Sequence, residues 1–164
     1  MATALKNLSN FDKTKYPNCA DFNIGIVVSE WNRQITENLL NGALEVFTSV
    51  GILRENILIE WVPGAFELPL GAQYISRHAL VDGIVAIGVV IQGETKHFDY
   101  VCSGATNGLM QVMLTENKPV AFCVLTDNNL QQSIDRSGGK HGNKGVEAAA
   151  ACLDMLLLKK KLIP

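Results

Sequence analysis

The segment GIVAIGVVIQGETKH, residues 83–97, changes character in its middle. Its first nine residues are apolar or glycine, which is typical of a strand buried on both faces of a parallel sheet. From Gln92 onward the segment is polar, and it ends at His97. A buried strand that delivers polar side chains to its carboxyl end indicates a ligand site at that end.

Three further apolar runs have the length and the β-branched composition of buried strands. Between these runs, segments with apolar residues at every third or fourth position predict helices. We expect Gly51 to end the first helix. The predicted strands cover residues 22–28, 56–62, 83–91 and 119–126, and the predicted helices cover residues 35–50, 65–78, 100–116 and 144–160, with a helical turn at 130–136.

Strands and helices that alternate regularly predict right-handed crossovers, and therefore a parallel sheet with helices on both faces. The expected architecture is a three-layer α/β/α sandwich, flavodoxin-like, around a central four-stranded parallel sheet. The chain has 164 residues, which suits one domain, predicted over residues 22–164. Residues 1–21 are polar and aperiodic and predict an extra N-terminal arm that lies outside the core.

Composition excludes several classes of function. Apolar residues make up 48% of the chain, charged residues 18%, and the net charge is -2, so neither disorder nor nucleic-acid binding is expected. No apolar run approaches the roughly 18 residues of a membrane span, and we expect a cytoplasmic protein with no membrane partner. The scattered cysteines predict buried thiols rather than a disulfide framework or a zinc site; they are Cys19, Cys102, Cys123 and Cys152.

The first strand ends in SEWN, residues 29–32. A Rossmann or P-loop protein would have its phosphate-binding glycines here, and neither motif occurs in the chain. Dinucleotide binding is therefore disfavoured. Trp31 offers a flat surface for a planar ring, although an aromatic side chain here could equally cover the edge of the core.

The second strand ends in VPGAFELP, residues 62–69. Pro63 and Gly64 predict a sharp turn, after which the unpaired N–H groups of a new helix face the strand ends and can hold an acceptor. Phe66 adds an aromatic wall. Glu67 complements the positive end of the helix, and that role alone would explain its presence.

The segments that follow the third and fourth strands, here called strand exits, contain most of the polar and ionisable candidate residues. Gly93 predicts a turn whose backbone N–H groups converge on an anion, and His97 follows this turn directly. Histidine is often structural, but in this zone of such a sheet a role in proton transfer is favoured. The segment DRSGGKHGNKG, residues 135–145, predicts a flexible cationic loop. Arg136, near the start of this segment, also belongs to the preceding helical turn and could hold a phosphate with two parallel hydrogen bonds.

Together the four exits indicate an enzyme that joins a phosphorylated small molecule to an aromatic heterocycle. The motifs SEWN, VPGAFELPLGA, GVVIQGETKHFDYV and DRSGGKHGNKG, in this order and spacing, resemble the lumazine synthase family from about residue 22 to the end of the chain. The resemblance implies a transferase of riboflavin biosynthesis. In its penultimate step, 5-amino-6-(D-ribitylamino)uracil condenses with 3,4-dihydroxy-2-butanone 4-phosphate to 6,7-dimethyl-8-ribityllumazine. No cofactor and no metal are implied.

The resemblance also implies a role for each motif residue. His97 is the expected catalytic group. Residues expected to bind the ribitylaminouracil are Trp31, Ala65, Phe66, Glu67, Val89, Val90, Ile91 and Phe122. Residues expected to hold the phosphate are Glu94, Thr95 and Arg136, and two further candidates are Asn32 and Lys144.

The same resemblance implies a homo-oligomer. Phe122 and Arg136 are expected from the adjacent subunit of a homopentamer, and some family members assemble pentamers into an icosahedral 60-mer. Riboflavin synthase is an expected partner. Many members have Phe in place of Trp31 and Arg in place of Gln92, so a flavin or lumazine carrier remains a second hypothesis. A flavodoxin-like electron-transfer module is the third, but the first strand exit lacks its Ser/Thr/Gly-rich phosphate loop.

Overall fold

The structure is a computed structural model that describes residues 7–163. Residues 1–6 of the predicted arm and residue 164 of the predicted domain lie outside the described residues. The main strands are β1 (Ile24–Ser29), β2 (Ile57–Val62), β3 (Gly83–Ile91) and β4 (Val120–Asp127). The helices are α1 (Arg33–Ser49), α2 (Leu68–His78), α3 (His97–Glu116), α4 (Leu130–Arg136) and α5 (Lys144–Leu162).

The four main strands form one parallel sheet in the order β2-β1-β3-β4, which confirms the predicted fold class. The chain runs from β1 outward to β2 and then crosses back over β1 to β3. The strand order therefore reverses between β1 and β3. In open parallel sheets ligands bind beyond the carboxyl ends of the strands at such a switch point.

Two apolar cores lie on opposite faces of the sheet. Helices α1 and α5 cover one face and bury Leu39, Phe47 and Leu153, while α2 and α3 cover the other face and bury Leu68 and Leu109. Gly51 ends the first helix as predicted, with φ at 92° in the left-handed region. Among residues 7–163, none of the helices is long and apolar enough to cross a bilayer.

Two helices begin differently from their predictions. Helix α3 starts at His97, three residues before the predicted start at Tyr100, because the Thr95 hydroxyl accepts a hydrogen bond from the His97 N–H at 3.3 Å. The second helix begins with a 3₁₀ turn at Ala65–Glu67. Pro69 has no N–H to donate to the carbonyl of Ala65, so that carbonyl accepts from Leu68 instead.

The predicted flexible loop at 135–145 is largely regular structure. Two short antiparallel strands, β5 (Ser137–Gly139) and β6 (Gly142–Asn143), form a hairpin between α4 and α5. Gly138 and Gly142 have φ values of 117° and 85°, a region that side chains rarely adopt. The sequence pattern of glycines and cations resembled a mobile connection, but those glycines serve the tight turn of a hairpin.

The described part of the N-terminal arm packs on its own domain. The Leu8 N–H donates to the carbonyl of His141 at 2.8 Å, and the side chain of Leu8 is only 3% exposed. Cys19 is buried as well. Burial, followed by a hydrogen bond to Asp154, raises the pKa of Tyr16 to about 12. The expectation that the arm lies outside the core is wrong for these residues, because contacts this distant along the chain leave no local pattern.

This packing predicts that the arm contributes to stability. Leu8→Ala is expected to lower the free energy of unfolding by about 2 kcal/mol, because it empties a buried site. Urea denaturation measures the change. Leu80→Ala is the matched control, since Leu80 is 95% exposed, and should stay within about 0.5 kcal/mol of the parent. Equal stabilities for the two variants would show that the arm does not support the fold.

Three of the four cysteines are buried, as predicted. Burial raises the pKa of Cys123 and of Cys152 to about 12, and it also raises the pKa of Cys19. Cys102 is half-buried, and all four cysteines are free thiols. A thiol in such a setting holds its proton at neutral pH and is a poor nucleophile.

Candidate active site

A pocket of about 580 Å³ lies at the carboxyl edge of the sheet, beside the exits of β1, β2 and β3. Segments that are far apart in the sequence form its wall. The lining residues are Trp31, Gly64, Ala65, Phe66, Glu67, Val89, Val90, Ile91, Gly93, Thr95, His97, Phe98, Tyr100 and Val101. The pocket therefore occupies the switch point between β1 and β3, where the topology favours a ligand.

Four aromatic side chains line the pocket, and three of them are largely exposed. Trp31 follows β1, Phe66 lies in the 3₁₀ turn after β2, and Tyr100 lies in the first turn of α3. Their exposed fractions are 72%, 60% and 72%, which are high for such large apolar groups. Flat surfaces exposed together in a concavity are suited to stacking on a planar ring. This arrangement favours the stacking interpretation of Trp31 over a role in covering the core.

The polar end of the pocket is the turn between β3 and α3. Thr95 and His97 both line the pocket, and His97 is the first residue of the 20-residue helix α3. The amino terminus of a helix carries partial positive charge and presents N–H groups that lack helical partners. The turn and the start of α3 can therefore accept an anion beside an exposed imidazole.

Gly93 lies in this turn, but its own chain does not require a glycine there. A Cβ added at Gly93 would meet no atom within 4 Å. The φ angle of Gly93 is also outside the left-handed region, unlike those of Gly51, Gly138 and Gly142. Steric limits on the backbone therefore do not require a glycine at this position in the isolated chain. The open space is instead available to a ligand that approaches the backbone.

Most of the predicted site residues meet in this pocket, and five do not. Glu94 belongs to the same turn as Thr95 without lining the pocket. Asn32 caps α1 in the left-handed conformation, with φ at 57°. The Lys144 ammonium lies 3.0 Å from the carboxylate of Glu147 on α5.

The other two residues outside the pocket are Phe122 and Arg136. Phe122 lies opposite Ala86 in the β3–β4 register, near the amino end of the edge strand β4, and is 38% exposed. The Arg136 side chain lies on α4 with 26% of its surface exposed. Within one chain, Phe122 and Arg136 therefore do not line the pocket that contains His97 and the aromatic walls.

Comparison with known proteins decides the family. The family model described as 6,7-dimethyl-8-ribityllumazine synthase matches residues 21–160. The chain belongs to this family. The resemblance of the four motifs is thereby confirmed over almost the whole chain.

Relatives named 6,7-dimethyl-8-ribityllumazine synthase match at nearly full length. Those of Flavobacterium johnsoniae and Christiangramia forsetii are each 53% identical over 161 residues, which cover 98% of this chain and 85% and 96% of the relatives. That of Pediococcus pentosaceus is 43% identical over 145 residues, which cover 88% of this chain and 93% of the relative.

Three pocket residues of this lumazine synthase family member were absent from the sequence-based predictions. Phe98, Tyr100 and Val101 line the pocket from the first turns of α3. The prediction missed them because it started the helix at Tyr100. The directions of the side chains near the true start of the helix could therefore not be predicted. The motif T-K-H could have indicated an earlier start, since a threonine hydroxyl often accepts a hydrogen bond from the backbone N–H two residues later.

The site offers stacking surfaces, an anion position and a proton-transfer group. Within residues 7–163, no group of three or more His, Cys, Asp or Glu side chains is arranged to hold a metal ion. The pocket residues can bind and orient organic substrates, and the exposed imidazole of His97 is a group that can transfer protons.

Proposed function

We propose that this pocket binds both substrates of the lumazine synthase reaction and that His97 transfers protons in it. The chain condenses 5-amino-6-(D-ribitylamino)uracil with 3,4-dihydroxy-2-butanone 4-phosphate to 6,7-dimethyl-8-ribityllumazine, with loss of phosphate and water. This is the penultimate step of riboflavin biosynthesis. The observation that carries the proposal is the convergence of exposed aromatic walls and His97 in one pocket of a family member.

The aromatic end of the pocket binds the pyrimidine. Trp31 stacks on the ring, and Phe66 closes the other side. The edge of the ring meets the backbone of Val89 to Ile91, the last residues of β3, which no longer have a full set of strand partners. Ala65 and Glu67 bind the ribityl chain, where a carboxylate can accept hydrogen bonds from hydroxyl groups.

The phosphate binds at the turn before α3. Backbone N–H groups at Glu94 and Thr95 and the positive end of α3 provide the anion position. Arg136 of a neighbouring copy approaches from the opposite side and neutralises the remaining charge. Gln92 contributes no charge here, so phosphate binding depends on the amino terminus of α3 and on Arg136.

His97 acts between these two ends. The amino group of the pyrimidine attacks the ketone to form a Schiff base, and this step requires proton transfers to and from the carbonyl oxygen. Loss of the phosphate then requires removal of a carbon-bound proton. An exposed imidazole at the start of α3 can serve both steps. Much of the remaining acceleration comes from holding the two substrates together.

Completion of this site requires a second copy of the chain. Phe122 and Arg136 lie outside the pocket of their own chain, and the exposed aromatic walls leave room for them from a neighbour. We propose a cytoplasmic homopentamer, alone or within a 60-subunit shell, in which residues 22–164 of each copy act as one domain. Riboflavin synthase, which consumes the product, is the proposed partner. Light scattering distinguishes a monomer, a pentamer and a shell by mass.

An enzyme assay tests the reaction itself. Purified protein mixed with the two substrates should produce the fluorescent lumazine faster than the spontaneous background. Each substrate alone should give no signal, which controls for contaminating product. A rate equal to the background with an intact oligomer would refute the proposed function.

The exposure of Trp31 supports a second candidate, a flavin or lumazine carrier. A carrier would bind the isoalloxazine ring on the same aromatic surface without turnover. Riboflavin titration with tryptophan quenching separates the two cases. Tight binding with negligible lumazine formation would favour the carrier, and turnover above background favours the enzyme whatever the flavin affinity.

A further inference from the structure

A buried carboxylate lies beside the arginine that the proposed mechanism uses. Asp127 ends β4 and is 6% exposed. The Ser133 hydroxyl, which is fully buried, donates to one carboxylate oxygen of Asp127 at 2.8 Å. The other oxygen lies 3.9 Å from Nη1 of Arg136. A buried charge is tolerated only with such partners, so these three side chains form one unit.

The backbone fixes Asp127 at the carboxyl edge of the sheet. Asp127 lies opposite Ile91 in the β3–β4 register, and Ile91 lines the pocket. The Gln92 N–H donates to the Asp127 carbonyl at 2.9 Å. The carboxylate therefore sits at a rigid strand end next to the turn that leads to His97.

The guanidinium of Arg136 is held through one nitrogen. Nη1 donates to the carbonyl of Gln132 at 3.1 Å and also faces Asp127. The edge formed by Nε and Nη2 is one that can bind a phosphate through two parallel hydrogen bonds. Because Nη1 is already held, this long side chain loses less rotamer freedom when the phosphate binds.

We propose that Asp127 is a positioning residue, held by Ser133, that fixes the Arg136 guanidinium for the substrate phosphate. This inference rests on the proposed function of Arg136 at the phosphate site. Asp127 touches no substrate and acts only through Arg136. In an oligomer the unit serves the pocket of the neighbouring copy.

The test is the steady-state kinetics of the oligomeric protein carrying Asp127→Asn. The amide keeps an oxygen for Ser133 but removes the charge that faces Arg136. The KM for 3,4-dihydroxy-2-butanone 4-phosphate should rise about fivefold, as for contacting residues that are coupled. The KM for the pyrimidine and the kcat should change less than about twofold. Ser133→Ala should shift the same KM in the same direction by a smaller factor.

Asp135→Asn is the matched control. It removes the same charge next to Arg136, but the Asp135 carboxylate accepts from Gln131 at 2.9 Å on α4 instead of facing the guanidinium. Its kinetics should equal those of the parent. A general effect of negative charge near Arg136 would shift the KM in both variants and would overturn the proposal.

Arg136→Ala separates failure of this inference from failure of the proposed function. If Arg136→Ala raises the KM for the phosphorylated substrate, Asp127→Asn should add nothing further in that background. If Arg136→Ala raises this KM but Asp127→Asn leaves it unchanged or lowers it, only the positioning role is overturned. If Arg136→Ala has no effect, the proposed phosphate site fails and the positioning role fails with it. Equal losses for both substrates in Asp127→Asn would indicate a merely structural role and also overturn the proposal.

Discussion

His97→Ala is expected to lower kcat by about 10²–10⁴-fold, the usual contribution of a positioned general acid–base group. The reason is that His97 lines the pocket together with the aromatic side chains and Thr95. In the proposed reaction it transfers protons to and from the carbonyl oxygen and removes the carbon-bound proton. The substrate KM values should change much less, because stacking and phosphate binding involve other residues. Lumazine formation under saturating substrates measures the loss.

The fold should survive this substitution. The His97 side chain is exposed, and alanine is a strong helix former, so the thermal midpoint and the oligomer mass should match those of the parent. His78→Ala is the matched control, since His78 is exposed at the far end of α2. An unchanged kcat in His97→Ala would remove His97 from the mechanism, and a similar loss in His78→Ala would show that the effect is not specific.

Gly145→Ala should be the most destabilising of the substitutions considered. A Cβ at this position would overlap the backbone carbonyl of Leu39, and it would lie 2.9 Å from the Asn143 side-chain oxygen. That oxygen caps α5 by accepting from the Gly145 N–H at 2.8 Å, while the Asn143 amide donates to the Asn38 carbonyl at 2.7 Å. The start of α5 is thus fastened to α1 with no room for a methyl group.

The expected cost is about 3 kcal/mol in the free energy of unfolding, at the upper end for overpacked sites, because a backbone atom blocks the methyl group. For a chain of this size that corresponds to a fall of roughly 6–12 °C in the thermal midpoint. Gly93→Ala is the control, since its Cβ meets nothing within 4 Å, and its stability should stay within about 0.5 kcal/mol of the parent. A Gly145→Ala protein as stable as the Gly93→Ala protein would contradict the close packing of α1 and α5.

The sequence predicted the sheet well because buried parallel strands are apolar on both faces. The run GIVAIGVVI became β3 with its predicted bounds, and the alternation of strands and helices was sufficient for the three-layer architecture. Small residues at the start of α5 allow it to approach α1 closely, because a Cβ at Gly145 would overlap the backbone of Leu39.

The position of the pocket followed from the same pattern. In a parallel sheet every strand exit lies at one edge, so Trp31, Phe66 and His97 could be expected together without knowledge of any distance. Their meeting in one pocket depends on topology more than on the details of packing. Their chemical roles remain predictions that the substitutions above test.

The sequence by itself determined which segments are strands, which edge of the sheet carries the polar groups and which family the motifs resemble, because these depend on local periodicity and residue type. Only the tertiary structure decided that Leu8 packs against His141, that residues 137–143 form a hairpin, and that Asp127 faces Arg136. Each of these facts depends on how elements dock against one another. Docking is fixed by the fit of surfaces across the whole fold, and no short stretch of sequence encodes it.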